Sequence, residues 1–328
     1  MLIRLFRTSQ PLLAFLLLLP VVAASYSSYN YHFATVSANG MPFYDAVLLL
    51  LGSLPSWVRV AISMTLIYLQ AIHLQFILNR HEVLYKESWL PALMYILLAT
   101  MIPEFQWFHP MLFINSLLLF ALDRIFFLYK NDKPLALDFD VGFIIGLASL
   151  FYLPLLIYII FFGAALILLR PFSWRDWATG IIGVFLPLFF AFCYYFLTDR
   201  FMLLYEKLAL SGITRPQHLR DLLPKEYLIS LAAPVLFILF GLFKQLTNFY
   251  KNVTRTRLNQ LVIILFAITG ILATVFAETP QVFRLLILVI PASVWAGYYM
   301  LSIKRVFLAE ISLLIMLSGW IYNNFFAG

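Results

Sequence analysis

The uncharged stretch between Asp140 and Arg170 constrains the fold most, because its 29 residues contain no charged side chain. An α-helix needs about 20 apolar residues to cross a hydrocarbon core of roughly 30 Å. The stretch is therefore too long for one upright crossing and short for two. Pro154 lies in its middle, where proline removes a helix hydrogen bond and kinks or breaks the chain. We predict a helical hairpin, Val141–Leu150 and Leu155–Leu169, with both charged ends on one side of a membrane; the alternative is one long, tilted, kinked helix.

The composition extends this conclusion to the whole chain of 328 residues. Hydrophobic residues make up 63%, charged residues 11%, and the mean hydropathy is +0.94, whereas soluble domains carry about 25% charged residues. Membrane β-barrels show alternating segments of about ten residues instead of long apolar blocks. We therefore predict an all-α protein, a polytopic bundle of transmembrane helices, with residues 1–328 forming a single integral membrane domain.

The apolar blocks predict about eleven spans, with 9–12 as the range. The N-terminal sequence MLIRLFRTSQPLLAFLLLLPVVAASYS resembles a signal peptide, but with many spans behind it an uncleaved first helix is the preferred interpretation. Residues 41–54 form either a further re-entrant helix or an interfacial one. The predicted spans are 10–25, 57–78, 88–102, 110–129, 140–150, 153–169, 177–197, 227–243, 260–277, 281–302 and 306–325.

The distribution of lysine and arginine predicts the orientation. Cytoplasmic loops of membrane proteins carry an excess of these residues, and a cytoplasmic N-terminus places 15 of the 22 on the inner side and 7 on the outer side. We predict a multi-pass protein of the bacterial inner membrane. The net charge of +7 follows from this topology, so we expect membrane lipids and no nucleic acid as partners.

The composition of two outer loops predicts where they lie relative to the membrane. Five of the seven outer cations lie in loop 198–226, which we predict to be partly helical and interfacial because leucines alternate there with charges. The first outer loop, Tyr26–Trp57, is rich in aromatic residues, which favour the headgroup region. We expect it to lie in that belt.

Ionisable residues at the outer helix ends are the candidate functional groups, since charge near a membrane interior is costly. Glu104 and His109 lie in the short loop MIPEFQWFHP, and Glu278 and Arg284 lie in AETPQVFR. A carboxylate there can take a proton from an acceptor hydroxyl, and arginines can hold a phosphate through paired hydrogen bonds. The alternative is that these are solvated loop charges, with Glu278 and Arg284 forming a local ion pair.

Known catalytic motifs of soluble enzymes are missing from the sequence. It contains no HExxH, GxSxG, P-loop or Rossmann pattern, and its one cysteine, Cys193, lies in an apolar segment. Asp138 and Asp140 have the spacing of a metal-binding DxD motif, but that motif works with a soluble nucleotide-binding domain that the chain lacks. We therefore expect no metal site and no cofactor.

Several strings resemble known membrane proteins. LPALMYILLATMIPEF, FDVGFIIGLASLFYLP, LRPFSWRDW and ETPQVFRLLILVIPASVWAGYY with AEISLL resemble a family of polytopic inner-membrane proteins of Bacteroidota. This likeness covers most of the chain and implies a phylum and a membrane, but no activity. GFIIGLASLFYLPLLI with its following basic turn is similar to the mid-chain segment of GT-C-fold glycosyltransferases.

The second resemblance implies an enzyme that uses a polyprenyl-phosphate-linked sugar and an acidic residue in its first outer loop. Asp45, in MPFYDAV, is the only acid in that loop. The chain lacks the paired acidic motif and the C-terminal soluble domain of such enzymes. The residues assigned by this hypothesis are Asp45 and Glu104 as catalytic groups, and Arg200, Arg215, Arg220, Glu278 and Arg284 as groups that bind the lipid phosphate or substrate.

The leading hypothesis is therefore a GT-C-like glycosyltransferase acting at the periplasmic face on a polyprenyl-phosphate-linked sugar. One alternative is a lipid or small-solute transporter, whose site would lie at helices broken by Pro154 and Pro234. Another is a non-catalytic subunit of an envelope-biogenesis or secretion complex, whose partners would be other envelope proteins.

Overall fold

The computed structural model describes residues 2–30, 42–131, 134–202, 205, 227–275 and 282–326. Within these ranges the regular structure is entirely helical. Short 3₁₀ turns occupy Pro103–Gln106, Leu153–Ile157, Phe249–Lys251 and Val282–Leu285. The α-helices are α1 (Leu2–Phe6), α2 (Leu13–Leu16), α3 (Leu18–Asn30), α4 (Pro42–Gly52), α5 (Ser56–Arg80), α6 (Leu90–Ala99), α7 (Pro110–Phe127), α8 (Pro134–Phe151), α9 (Tyr158–Leu169), α10 (Trp174–Leu197), α11 (Leu228–Thr247), α12 (Thr254–Val275), α13 (Leu286–Ser302) and α14 (Val306–Phe325).

Eight helices of the described ranges are long and apolar enough to cross a membrane, namely α5, α7, α8, α10, α11, α12, α13 with its preceding 3₁₀ turn, and α14. They confirm the prediction of an all-α, multi-pass membrane protein. The other three of the eleven predicted spans, 10–25, 88–102 and 153–169, correspond to shorter apolar helices. The structure therefore supports eight full-length crossings. The helix predicted in outer loop 198–226 falls mostly outside the described residues.

The central apolar stretch forms the predicted hairpin. Tyr152 is extended, with φ −147° and ψ 100°, and Pro154 then opens the 3₁₀ turn that leads into α9. At the far end of α9, the Arg170 guanidinium donates a 2.7 Å hydrogen bond to the Asn131 carbonyl, just before α8 begins. Both ends of the stretch therefore lie together, and the alternative of one long helix is wrong. The break proposed at Pro234 is also wrong, because α11 continues through that residue.

The first helix of the hairpin starts earlier than predicted. α8 begins at Pro134 rather than Val141, since proline suits the first turn of a helix. Asp138 and Asp140, which lie before the predicted start at Val141, are therefore helical. Asp140 lies 3.6 Å from Arg124 in an ion pair, and Asp138 is buried. A charged residue thus did not mark the helix boundary here.

The helices α8 and α10 touch through their backbones. A Cβ built on Gly142 would lie 2.0 Å from the Gly180 carbonyl oxygen, and one on Gly146 would lie 2.3 Å from the Val184 carbonyl oxygen. Small residues allow such close approach between membrane helices. Because α10 packs mainly on α8, this glycine contact fixes the position of α10.

The helix α6 lies at the centre of the bundle. All ten of its residues are buried, and at 1.5 Å per residue it is only about 15 Å long. The connection that follows it is buried too, and its backbone is satisfied by side chains: Asn323 donates to the Met101 carbonyl at 3.0 Å and Gln106 to the Thr100 carbonyl at 2.8 Å. Irregular backbone at membrane depth is tolerated where protein surrounds it in this way.

The connections between helices gather at two ends of the bundle. At the first, which we call the basic end, Arg7 donates to the Ile303 carbonyl at 2.7 Å and Tyr85 donates to the Leu301 carbonyl at 2.8 Å. At the second, the opposite end, Ser27 donates to Asn324 at 2.9 Å. This grouping agrees with the prediction that successive loops lie on opposite sides of the membrane. The excess of lysine and arginine in cytoplasmic loops predicts that the basic end faces the cytoplasm.

Single cysteines test this orientation. In a Cys193→Ser background we expect Thr198→Cys, at the opposite end of α10, to react with a membrane-impermeant maleimide in intact cells. Arg175→Cys, at the other end of the same helix, is expected to react only after the membrane that holds the protein is opened. Both positions are exposed, so access to the reagent depends on the side of the membrane. The reverse labelling pattern would contradict the orientation.

Candidate functional site

Four segments that are far apart in sequence meet at the opposite end. Tyr44 comes from α4, His109 precedes α7, and Tyr152 forms the tip of the central hairpin. Phe283 and Arg284 belong to the 3₁₀ turn before α13. We call these five residues the outer cluster.

His109 holds two of these segments together. Its Nδ1 accepts a 3.1 Å hydrogen bond from the Met111 backbone N–H, which caps α7. An accepting Nδ1 places the ring proton on Nε2, and Nε2 then donates to the Tyr44 hydroxyl oxygen. The ring also stacks on Phe283, with the centroids 3.9 Å apart and the planes 13° apart. With both nitrogens engaged, His109 serves to position its neighbours.

The charge state of His109 agrees with that role. Burial, assisted by the positive charge of Arg284, lowers the pKa of His109 to about 3. Burial likewise raises the pKa of Tyr44, although nearby Arg284 opposes the shift. Both side chains are therefore neutral near pH 7. The Tyr44 hydroxyl keeps its own proton for donation, and Tyr44 fixes the position of the next residue along α4, Asp45.

Arg284 brings positive charge into the outer cluster. The residue is only 4% exposed, and its guanidinium carbon lies 5.5 Å from the centroid of the Tyr152 ring. Arginine at this spacing over an aromatic face gains a cation–π attraction. Burial of a guanidinium is costly, so a buried arginine at the end of a membrane bundle suggests a site that handles an anion.

Glu104 is held at the same end by two contacts. The 3₁₀ turn that carries it, Pro103–Gln106, packs on the turn that carries Phe283 and Arg284. The Glu104 Oε1 atom accepts a hydrogen bond from the Tyr227 hydroxyl at 3.3 Å.

An apolar groove of about 720 Å³ runs between α3 and α5 in the half of the bundle near the opposite end. Its walls include Val21, Val60 and Met64, with Tyr26 and Trp57 closer to the end. Both helices also contact the turn that carries Glu104. An apolar channel open to the lipid side therefore lies next to the polar groups at this end.

The structure brings only some of the predicted site residues to the outer cluster. Asp45, Glu104 and Arg284 are brought to the same end of the bundle. Arg200 follows α10, is exposed, and makes no hydrogen bond or ion pair with the outer cluster in the part of the chain that the structure describes. Arg215, Arg220 and Glu278 lie outside the described residues, so their roles stay predictions.

The aromatic members of the outer cluster were missed. Tyr44 was expected in the headgroup belt but is only 3% exposed. Tyr152 and Phe283 were not predicted as site residues, since aromatic residues make up 18% of the chain and no single one stands out. The available signal for Tyr44 was its position directly before Asp45.

Comparison of the chain with protein-family models, with curated proteins and with solved structures gives no match. Among the described residues, no three His, Cys, Asp or Glu side chains come close enough to hold a metal ion.

The lowered pKa of His109 predicts a pH effect on stability. The unfolded chain protonates this residue near pH 6.5, whereas the folded chain resists protonation down to about pH 3. Between these values the unfolded state binds more protons, so stability falls as the pH falls. From pH 7 to pH 5 the expected loss from His109 is about 2 kcal/mol.

Denaturation in mixed micelles at pH 7 and pH 5 measures this loss. His109→Asn keeps a helix-capping side chain but removes the titrating ring, and we expect it to lose this part of the pH dependence. If His109→Asn and the wild type show the same pH dependence of stability, the protonation assignment for His109 is wrong.

Proposed function

We propose that the protein is a GT-C-like glycosyltransferase of the inner membrane that uses a polyprenyl-phosphate-linked sugar at its periplasmic face. The observation that carries the proposal is that three separate segments, which carry Asp45, Glu104 and Arg284, come together at one end of the bundle. The apolar groove between α3 and α5 adds a place for a long lipid chain. The likeness of GFIIGLASLFYLPLLI to GT-C enzymes supports the same substrate class.

Each part of the donor has a matching surface. The isoprenoid chain occupies the groove between α3 and α5, where its burial against apolar side chains favours binding. The phosphate lies near Arg284, whose planar guanidinium donates paired hydrogen bonds to phosphate oxygens. The sugar then lies between the phosphate and the carboxylates of Asp45 and Glu104.

The transfer step follows from this arrangement. An acceptor hydroxyl oxygen forms a bond to the anomeric carbon of the sugar, and the bond between that carbon and the phosphate oxygen breaks. The electron pair of the broken bond stays with the phosphate, and polyprenyl phosphate leaves. Asp45 takes the proton of the acceptor hydroxyl, as a general base. Glu104, which the Tyr227 hydroxyl holds, positions the acceptor.

The variant Asp45→Asn tests the catalytic assignment. General base catalysis contributes about 10²–10⁴-fold to rate, so we expect sugar transfer to fall at least about 100-fold while membrane insertion and donor binding are kept. The assay uses purified protein in nanodiscs, a radiolabelled polyprenyl-phosphate-linked sugar, and membranes of a strain lacking the protein as acceptor.

Asp199→Asn is the matched control, because Asp199 follows α10 at the same end but is exposed and makes no side-chain contact with the outer cluster in the described structure. It is expected to transfer at the wild-type rate. If Asp45→Asn transferred sugar at the wild-type rate, the assignment of Asp45 as the base would be wrong. If the wild-type protein transferred no sugar, the proposed activity would be wrong.

A further inference from the structure

A second, larger cavity lies at the basic end, far along the bundle from the outer cluster. It has a volume of about 840 Å³ and lies between α11, α13 and the segments that follow them. Three lysines line it, Lys244, Lys251 and Lys304, and the described lining contains no acidic side chain. The cavity is therefore a basic one, of a size typical for small-molecule sites.

The backbone fixes where these lysines stand. A Cβ built on Gly241 would lie 2.0 Å from the Trp295 carbonyl oxygen, so α11 and α13 touch one turn before Lys244. Lys251 ends the 3₁₀ turn that follows α11, and Lys304 lies two residues after α13. All three lysines therefore stand at the level where helices end and headgroups begin.

The side chains of these lysines form few interactions within the protein. The carbonyl groups at the end of α13, which would attract cations, are taken by other donors: Arg7 binds those of Met300 and Ile303, each at 2.7 Å. Lys251 donates only to the Asn248 side chain, at 3.1 Å. The side chains of Lys244 and Lys304 make no hydrogen bond or ion pair in the described structure. Two ammonium groups thus remain available to an anion.

The mouth of the cavity is apolar. Phe240 and Phe243 line it from α11 and are 54% and 65% exposed, and the Phe240 ring lies 6.1 Å from that of Tyr299. These rings continue an exposed apolar face of α11 that includes Leu236 and Leu239. In a membrane, this face meets acyl chains, so the cavity opens toward lipid as well as toward water.

We infer that this cavity binds the phosphate headgroup of an anionic phospholipid from the leaflet at the basic end. Lys244, Lys251 and Lys304 supply the positive charge for the phosphate, and Phe240 and Phe243 pack along the first part of the acyl chains. Basic cavities between membrane helices on the cytoplasmic side recognise headgroups by this combination. The inference is independent of the proposed transferase activity, because it involves other residues at the other end.

A triple variant tests the site. We compare the full-length protein with Lys244→Gln/Lys251→Gln/Lys304→Gln in nanodiscs of zwitterionic lipid with and without phosphatidylglycerol, measuring thermal unfolding and, by native mass spectrometry, retained lipid. Wild type is expected to unfold at higher temperature with phosphatidylglycerol and to retain it at least about tenfold better than the triple variant, equivalent to about 1.4 kcal/mol.

The matched control is Arg4→Gln/Lys130→Gln/Arg175→Gln, which removes the same charge from exposed positions at the basic end that do not line the cavity. It is expected to behave like wild type. An equal loss in both triple variants would overturn the inference, because general surface charge would then explain lipid binding. Equal retention of phosphatidylglycerol by the cavity variant and wild type would overturn it as well.

Soluble phosphate supplies the last arm of the test. Inorganic phosphate and glycerol 3-phosphate, added to protein in zwitterionic nanodiscs, are expected to leave the unfolding temperature unchanged at concentrations where phosphatidylglycerol acts. If these soluble phosphates raised the unfolding temperature as much as phosphatidylglycerol does, the lipid assignment would be overturned, since the cavity would then bind a free anion. The exposed phenylalanines give a further check: Phe240→Ser/Phe243→Ser is expected to weaken retention of the lipid.

Discussion

Replacing Gly142 with valine is expected to separate α8 from α10 and to cost about 3 kcal/mol or more of stability, the upper part of the range for overpacking. A Cβ at this position would lie 2.0 Å from the Gly180 carbonyl oxygen, and the atom it meets is backbone that cannot rotate away. The helices must move apart, and the contacts along their interface are lost. The measurement is thermal unfolding of purified protein, with the monodisperse yield as a second readout.

Gly52→Val is the matched control for this experiment. Gly52 ends α4, and a Cβ built there has no atom within 4 Å. The same change of side chain is therefore expected to cost little at Gly52. Equal unfolding temperatures of the two variants would show that α8 and α10 do not pack through their backbones.

Replacing Arg284 with methionine is expected to weaken the binding of polyprenyl phosphate about 100-fold. A hydrogen bond to a charged group contributes about 1.5–3 kcal/mol, which corresponds to roughly 10–150-fold in affinity. Methionine fills similar space but has neither the charge nor the donors. Binding is measured by titrating polyprenyl phosphate into the folded fraction of each variant, isolated by size exclusion.

Arg284→Lys separates charge from geometry. Lysine keeps the positive charge but lacks the planar pair of donors, so we expect an intermediate affinity, about tenfold below wild type. Affinity of Arg284→Met within twofold of wild type would remove Arg284 from the binding site. The transfer assay with Asp45→Asn would remain a separate test of the proposed activity.

The overall architecture was accessible from sequence because membrane physics acts on simple properties. The length of an uncharged run and the position of Pro154 were enough to predict the central hairpin. The start of α8 was not predictable in this way. Asp138 and Asp140 lie before the predicted start of the helix, yet α8 includes both: Asp140 pairs with Arg124, and Asp138 is buried. The sequence around these residues does not reveal such contacts with distant segments.

Hydrophobicity also cannot tell a helix in lipid from a helix in protein. The segment 88–102 was predicted as a span, but α6 has ten residues and is buried on every side. Its apolar residues face other helices and not acyl chains. A chain with 63% hydrophobic residues gives the same sequence pattern in both cases, so the number of crossings was less predictable than the fold class.

The sequence drew attention to charged residues at this end of the bundle but not to the aromatic residues around them. Asp45, Glu104 and Arg284 stood out because ionisable residues are rare at helix ends in this chain. Tyr44, Tyr152 and Phe283 did not, since their role depends on which segments meet. His109 appeared among the outer ionisable residues, but its burial and its two hydrogen bonds, which make it a positioning residue, required the structure.

A density map of the purified protein in nanodiscs that contain a polyprenyl phosphate tests the central claim most directly. The account predicts an isoprenoid chain in the groove between α3 and α5 and a phosphate beside Arg284, within reach of Asp45 and Glu104. A bundle sealed at this end with no bound lipid, or a partner chain covering it, would contradict the transferase proposal and favour a structural subunit.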